Sequence, residues 1–384
     1  MSVYLDHNAT TPPAEDCVQA MLHCLRENWG NPSSKHAAGD AARMAVHAAR
    51  AACAALIGAA PAEIVFTSGA TEANHQAILG ALAARPGCRH LVTSQVEHPS
   101  VLSLCRALEA RGVAVSYLPV DGEGRLDAAA VEAALRPDTA LVSLMWANNE
   151  TGVLFPIESI AERVRAAGVL MHCDATQALA RVPVDMATVP VDLLSFSGHK
   201  LHAVKGVGGL FVRKGVKLPA LLHGHQERGR RGGTENVPGI VALGVAARLA
   251  ADGLSGDVAH MVALRTELEG AVRARWPWVR VWGDAAERLP NTSFLGFGDI
   301  DGEVMLDALA RASIQASSGA ACVSGGTEPS HVLLAMGATP AAARASIRLS
   351  LSRYTRADEI AHVVESLDGI LTSLAGRERL ALRA

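Results

Sequence analysis

The stretch VDLLSFSGHKLHAVKG, residues 191 to 206, runs an apolar strand into Ser197, Gly198, His199 and Lys200. A lysine at the end of a buried strand is costly to keep charged, and a neutral amine can condense with an aldehyde. A surface lysine after a strand end is the plain alternative. Lysine is scarce here, however: only positions 35, 200, 205, 214 and 217 carry one, and the other 30 of the 35 basic residues are arginine. Three of those five lysines fall within 15 residues of one another.

A second apolar strand, in VLMHCDATQ, ends on an acid, Asp174. Parallel strands gather their C-terminal ends on one side, where ligands bind, so Asp174 and Lys200 are expected on neighbouring strand ends. A carboxylate beside a lysine is the pair that pyridoxal phosphate needs, one for its ring nitrogen and one for its aldehyde. A helix N-cap is the competing role for Asp174. In EIVFTSGATEANHQAI a strand passes through Ser68 and Gly69 into a helix beginning near Ala70 and Thr71, whose amides and hydroxyl could hold an anion. QVEHPSV places His98 beyond a strand, where an imidazole could stack on a ring and carry protons. MWANNETG offers Asn148 and Asn149 at the next strand end, and SIRLSLSRYT offers Arg348 as a carboxylate clamp. His223 and His225 have metal-like spacing but no evident acid or cysteine partner.

These residues need a scaffold of alternating strands and helices. Short apolar runs predict strands at 63–67, 90–94, 113–119, 140–146, 169–173, 193–197 and 208–212. Between them lie helical patterns at 70–84, 100–111, 127–136 and 156–167. The expected fold is α/β, with a mainly parallel seven-stranded sheet flanked by helices. From about residue 256 the pattern changes: a helix over 257–275, the strand signal PNTSFLGF, a helix over 303–311, then QASSGAACVSGG with Cys322 among small residues. This predicts a large domain over 15–255, and a smaller α+β domain from 1–14 and 256–384 carrying a cysteine loop at about 315–328.

Composition narrows the function classes. A net charge of −3 argues against nucleic acid or anionic membrane as partners, and no apolar run reaches the length of a membrane span. The start, MSVYLDHNATTPP, does not read as a secretory leader. Seven scattered cysteines without a CxxC argue against disulfides or structural zinc and for a reducing cytoplasm.

Taken in order, FTSGATEAN, VEHPSVLSL, MWANNETGVLFP, HCDATQA, SGHKLHAVKGVGGLFV, GHQERGRRGGTENV and SSGAACVSGGTEPSHVLLAMG resemble the cysteine desulfurases of the NifS/IscS type. These are fold-type I pyridoxal-phosphate enzymes. The resemblance covers about 350 residues, from YLDHNATTPP to SIRLSLSRYT, and WANNETG and GHQERGRR look nearest the nitrogen-fixation branch. It implies a cytoplasmic homodimer that converts L-cysteine to L-alanine and passes sulfur, as a Cys322 persulfide, to an iron–sulfur scaffold or another acceptor. Lys200 would join the cofactor, Asp174 pair with its ring nitrogen, Gln177 bond its phenolate oxygen and His98 stack on its face. Ala70, Thr71, Ser197 and His199 would hold the phosphate, with Thr234 reaching in from a second subunit. Asn149 and Arg348 would hold the substrate carboxylate, Asn149 lying also near the cofactor, and Cys322 would accept the sulfur and transiently share a cluster iron with a scaffold. Ala320 and Val323 stand where the family usually has hydroxyl residues, and Val204 where proline is common. An aminotransferase of the same fold needs Lys200 and Asp174 but not Cys322. A selenocysteine lyase is disfavoured because its RxGHHC-type segment is missing.

Overall fold

The structure, a computed structural model, describes residues 2–319 and 328–381, with side chains described through residue 374. In chain order the strands are β1 (Val3–Tyr4), β2 (Ile64–Thr67), β3 (His90–Ser94), β4 (Ala114–Leu118), β5 (Thr139–Met145), β6 (Leu170–Asp174), β7 (Leu193–Ser197), β8 (Gly208–Val212), β9 (Arg280–Val281), β10 (Thr292–Gly296), β11 (Ile314–Gln315), β12 (Ser317–Ser318) and β13 (Ser346–Ser350). Seven of them form one sheet in the order β2-β8-β7-β6-β5-β3-β4. Every pairing in it is parallel except those of β8, which runs antiparallel to both β2 and β7.

This sheet is buried on both faces, so its strands read as continuous apolar runs rather than alternating ones. Strands β2, β3, β5, β6, β7 and β8 are buried at every position except Leu170. Because β2 and β7 both oppose β8, the strands β2, β3, β5, β6 and β7 all end on the same side. That side carries Thr67, Ser94, Met145, Asp174 and Ser197.

A second body of structure is built on the antiparallel sheet β12-β13-β10-β9, with β1 paired in parallel to β11. Its core, including Leu264, Leu268, Phe297, Ile347 and Ile360, also takes in Val3 and Leu5 from the N-terminal arm. One helix serves both cores. It spans Val237–Arg275, 39 residues, where the sequence pattern predicts a helix only from 257. Ile240, Leu243 and Ala247 pack in the sheet core, and Leu264, Leu268 and Val272 in the second. Its first half is apolar on most sides, which erases the amphipathic stripe that marks a surface helix. By length and composition alone that helix could cross a membrane, but it packs along helices Glu15–Glu27 and Ala37–Leu56.

Candidate functional site

A cavity of about 430 Å³ opens where the parallel strands end. Ala70, Thr71, His98, Asn149, Asp174, Gln177, Ser197, His199 and Lys200 all line it, nine of the twelve site positions that the resemblance implies. They arrive from five strand exits, those of β2, β3, β5, β6 and β7, as the sheet topology requires. Helix Ala70–Ala84 starts at the cavity behind Gly69, which has φ 157° and no side-chain cap, so its first amides face the cavity uncapped. The turn before it lies so close to β8 that a Cβ on Gly208 would sit 2.7 Å from Gly69 Cα and 2.6 Å from the Phe196 carbonyl. Only glycine fits there.

Asp174 is buried at the end of β6, and its two oxygens are fixed separately. The Thr176 amide donates to Oδ1 at 3.0 Å, and Asn74 Nδ2 donates to Oδ2 at 2.8 Å. The same Asn74 Nδ2 reaches Ser100 Oγ at 2.9 Å, and Ser100 Oγ lies 2.9 Å from His98 Nδ1. His98 caps helix Pro99–Glu109: its Nδ1 accepts the Ser100 N–H at 3.1 Å. With Nδ1 occupied as an acceptor, the neutral ring carries its proton on Nε2. Burial holds His98 below the usual histidine range, against the pull of Asp174, and drives His199 down to about 4. Both are therefore neutral imidazoles at neutral pH.

Two buried groups support the floor. His172 bridges Ser143 Oγ (2.8 Å) and Ser195 Oγ (2.9 Å) across three strands, and burial lowers it to about 4. Glu97 Oε1 accepts from Ser94 Oγ (2.7 Å) and the Met145 amide (3.0 Å), while Oε2 has no partner among the described residues. Burial raises Glu97 to about 8, so it is a neutral acid.

The N-terminal arm closes one wall. Lys200 Nζ donates to the carbonyls of Asn8 and Ala9, the latter at 2.6 Å, and Gln177 Nε2 donates to the Asn8 carbonyl at 2.9 Å. Asn8 Nδ2 in turn donates to Thr292 Oγ1 and to the Asn149 carbonyl. Thr10 Oγ1 lies 3.1 Å from His199 Nδ1.

Behind the phosphate side, the segment 222–236 is pinned by a buried ion pair. Arg50 binds both oxygens of Glu227, each at 2.6 Å, and Glu227 also accepts the Phe66 amide at 2.9 Å. Glu227 and Arg228 sit at φ 48° and 59°, a left-handed conformation that side chains resist. Arg231 pairs with Glu72 of the cavity wall at 2.9 Å, and Gln76 holds the Arg230 carbonyl.

Three predicted positions stand apart. Thr234 is exposed and does not line this chain's cavity. Arg348 is buried on β13 and donates to the Asn149 carbonyl (2.9 Å) and the Asp6 carboxylate (2.7 Å), with Nε unpartnered among the described residues. It does not line the cavity itself but reaches it through Asn149, which does. Cys322, with Ala320 and Val323, lies outside the described residues. On either side of them, Ser330 Oγ donates to the buried carboxylate of Glu150, and a Cβ on Gly319 would overlap the same oxygen. Burial raises Glu150 to about 7. No group of three or more His, Cys, Asp or Glu suited to a metal occurs among the described residues, so His223 and His225 gain no partners.

The sequence reading missed Asn8, Asn74 and Ser100. Only the polar run DHNATTPP at the start of the resemblance hinted at the first. The donor set suits a flat heteroaromatic ring bearing an aldehyde and a phosphate. Uncapped helix amides with Ser197 and His199 offer donors for a phosphate, Asp174 an acceptor for a ring N–H, and Lys200 an amine for the aldehyde. The buried Oε1 of Gln177 and Oγ1 of Thr176 have no partner among the described residues, as expected of groups kept for a ligand.

Residues 3–363 match the family model described as Aminotransferase class-V. A cysteine desulfurase from Cereibacter sphaeroides is 53% identical over 375 residues, 97% of this chain and 96% of that protein. The cysteine desulfurase NifS of Azotobacter vinelandii is 48% identical over 374 residues, covering 97% and 93%. A solved structure titled NIFS-LIKE PROTEIN superposes with TM-score 0.91 at 35% identity, over 97% of this chain and all of that one.

Proposed function

The chain belongs to the class-V aminotransferase family and is a pyridoxal-phosphate-dependent cysteine desulfurase, and we propose that Lys200, His98, Asp174 and Cys322 carry out its reaction. The observation that carries these roles is the convergence of Lys200, Asp174 and His98 on one cavity with an uncapped helix start. Pyridoxal phosphate, when bound, supplies an electron sink that stabilises negative charge at the substrate Cα. Asp174 keeps the ring nitrogen protonated, with its orientation set by the Thr176 amide and Asn74. Lys200 Nζ, held beside the arm carbonyls, takes the Cα proton. Neutral His98 faces the cavity with Nε2 and carries protons to and from the thiols.

Cys322 then attacks as thiolate on the sulfur of the substrate. The Cys322 Sγ–S bond forms, the substrate Cβ–S bond breaks, and Cβ gains a proton. L-Cysteine leaves as L-alanine, and a persulfide remains on Cys322. Asn149 and Arg348 receive the substrate carboxylate, a role that suits the unpartnered Nε of Arg348.

We infer further that the working unit is a homodimer in which Thr234 serves the cavity of a second copy, since it is exposed and stands off its own. The sulfur is destined for an iron–sulfur scaffold, with nitrogenase cluster assembly favoured by the 48% identity to the Azotobacter relative. The deciding experiment is Cys322→Ala with a reductant present. It should retain the cofactor's absorbance and lose alanine formation from cysteine. Full turnover in that variant overturns the assignment of Cys322. Pull-down with the Cys322 persulfide tests the acceptor.

A further inference from the structure

Asn74 occupies a position that no step of the proposed reaction uses. It is fully buried on helix Ala70–Ala84, the helix whose start faces the phosphate side. Its Nδ2 has two hydrogens, and each is spent on a different partner: Asp174 Oδ2 at 2.8 Å and Ser100 Oγ at 2.9 Å. Its Oδ1 has no partner among the described residues. A buried amide with one end doubly engaged and the other unpaired is oriented by its donors alone. Ser100 then spans the remaining gap, with its hydroxyl and its amide both at His98 Nδ1. The two ends of this chain of bonds are the residue placed at the ring nitrogen and the residue placed on the ring face.

We infer that Asn74 is a positioning residue that couples Asp174 to His98 through Ser100. The inference rests on the roles proposed above for those two residues. Asn74 occupies one side of Asp174 Oδ2, so it sets the direction in which the carboxylate meets the ring nitrogen. The same amide holds the Ser100 hydroxyl at His98 Nδ1, where it joins the Ser100 N–H in keeping that atom an acceptor and leaves Nε2 to serve the cavity. One side chain thus orients the carboxylate at the ring's edge and the hydroxyl behind the imidazole on its face.

The test is spectroscopic and uses the holoenzyme. The cofactor's visible absorbance is titrated across neutral pH in wild type, Asn74→Ala, Ser100→Ala and the double variant. A donor lost from Asp174 should move the midpoint by about half a pH unit in Asn74→Ala, and less, in the same direction, in Ser100→Ala. Because Ser100 acts through Asn74, the double variant should move no further than Asn74→Ala alone. Unchanged midpoints in the single variants, or shifts that add in the double, overturn the coupling. If Asn74→Ala does not fold, Ser100→Ala at the cavity edge still decides, since an unmoved midpoint there has the same meaning. Asp174→Asn reports on the premise separately. Should it keep the wild-type band and profile, the placement of Asp174 fails whatever Asn74 does.

Discussion

Arg50 and Glu227 offer the sharpest test of how the segment 222–236 is held. The pair is buried, with side chains 9% and 2% exposed, and joined by two bonds of 2.6 Å. Arg50 also donates to the Ile64 carbonyl and lies 4.6 Å from the Phe66 ring centroid. Changing Arg50 to Met leaves the Glu227 carboxylate buried with only the Phe66 amide. Breaking a buried pair on one side costs about 3–5 kcal/mol. Glu227 keeps the Phe66 amide, so the loss should fall at the lower end of that range, about 3 kcal/mol. The double variant Arg50→Met, Glu227→Leu should recover most of this, because matched apolar side chains can replace a buried ion pair nearly neutrally. Cofactor retention should not recover, since the segment carrying Arg231 and Thr234 has lost its pin in both variants. Urea unfolding at fixed protein concentration gives the first quantity, and cofactor loss on gel filtration the second. A loss below about 1 kcal/mol in the single variant, or a double variant no better than the single, would refute the reasoning.

Three further outcomes are expected. His172 has its folded value near 4 against an ordinary 6.5, so the unfolded chain binds the extra proton and stability falls as pH drops from 6.5 toward 4. His172→Gln should remove about 2 kcal/mol of the stability lost between pH 7 and 5, read from urea midpoints, and an unaltered pH slope contradicts the assignment. Glu97 has the opposite sign: raised to about 8, it makes the fold less stable as pH rises from 4.5 through 8. Glu97→Gln should match wild type at pH 5 and exceed it by about 3 kcal/mol at pH 8; equal curves at both would show that Glu97 is ionised in the fold. Gly208→Ala should cost about 1–3 kcal/mol and weaken cofactor retention, because backbone lies on both sides of the new methyl group; a neutral effect on melting would mean the turn at Gly69 can yield.

Strands were the most legible part of the fold. The segments 90–94, 193–197 and 208–212 match the observed β3, β7 and β8 to the residue, because strands buried on both faces are short apolar runs bounded by polar punctuation. The N-terminal half of helix Val237–Arg275 was not legible: with apolar residues on most faces and glycines at 239, 244, 253 and 256, it shows no stripe. Within the site, residues at strand ends were legible because topology alone brings strand ends together. Asn74, Ser100 and Asn8 were not, since their roles are bonds between segments far apart in the chain, and nothing local to TEANHQ or DHNAT records the partner. Arg348 was recognised as a cation for a carboxylate, and the carboxylate it holds in the structure is that of Asp6.

The long helix has a mechanical consequence. At 1.5 Å per residue its 39 residues make a beam roughly 58 Å long, with one end seated in each core. Between the last residue seated in the sheet core, Ala250 aside, and the first seated in the other lie Gly253 and Gly256, each weakening the helix by about 1 kcal/mol relative to alanine. A Cβ on Gly256 would meet nothing within 4 Å, so packing does not demand glycine there. The beam is least stiff where it leaves the sheet. Asp174 and Lys200 belong to one end of it, while Asn8 is tied to Thr292 and Ser350 at the other. Lys200 and Gln177 both donate to the Asn8 carbonyl, so the arm braces the two ends of the beam against each other across the cavity.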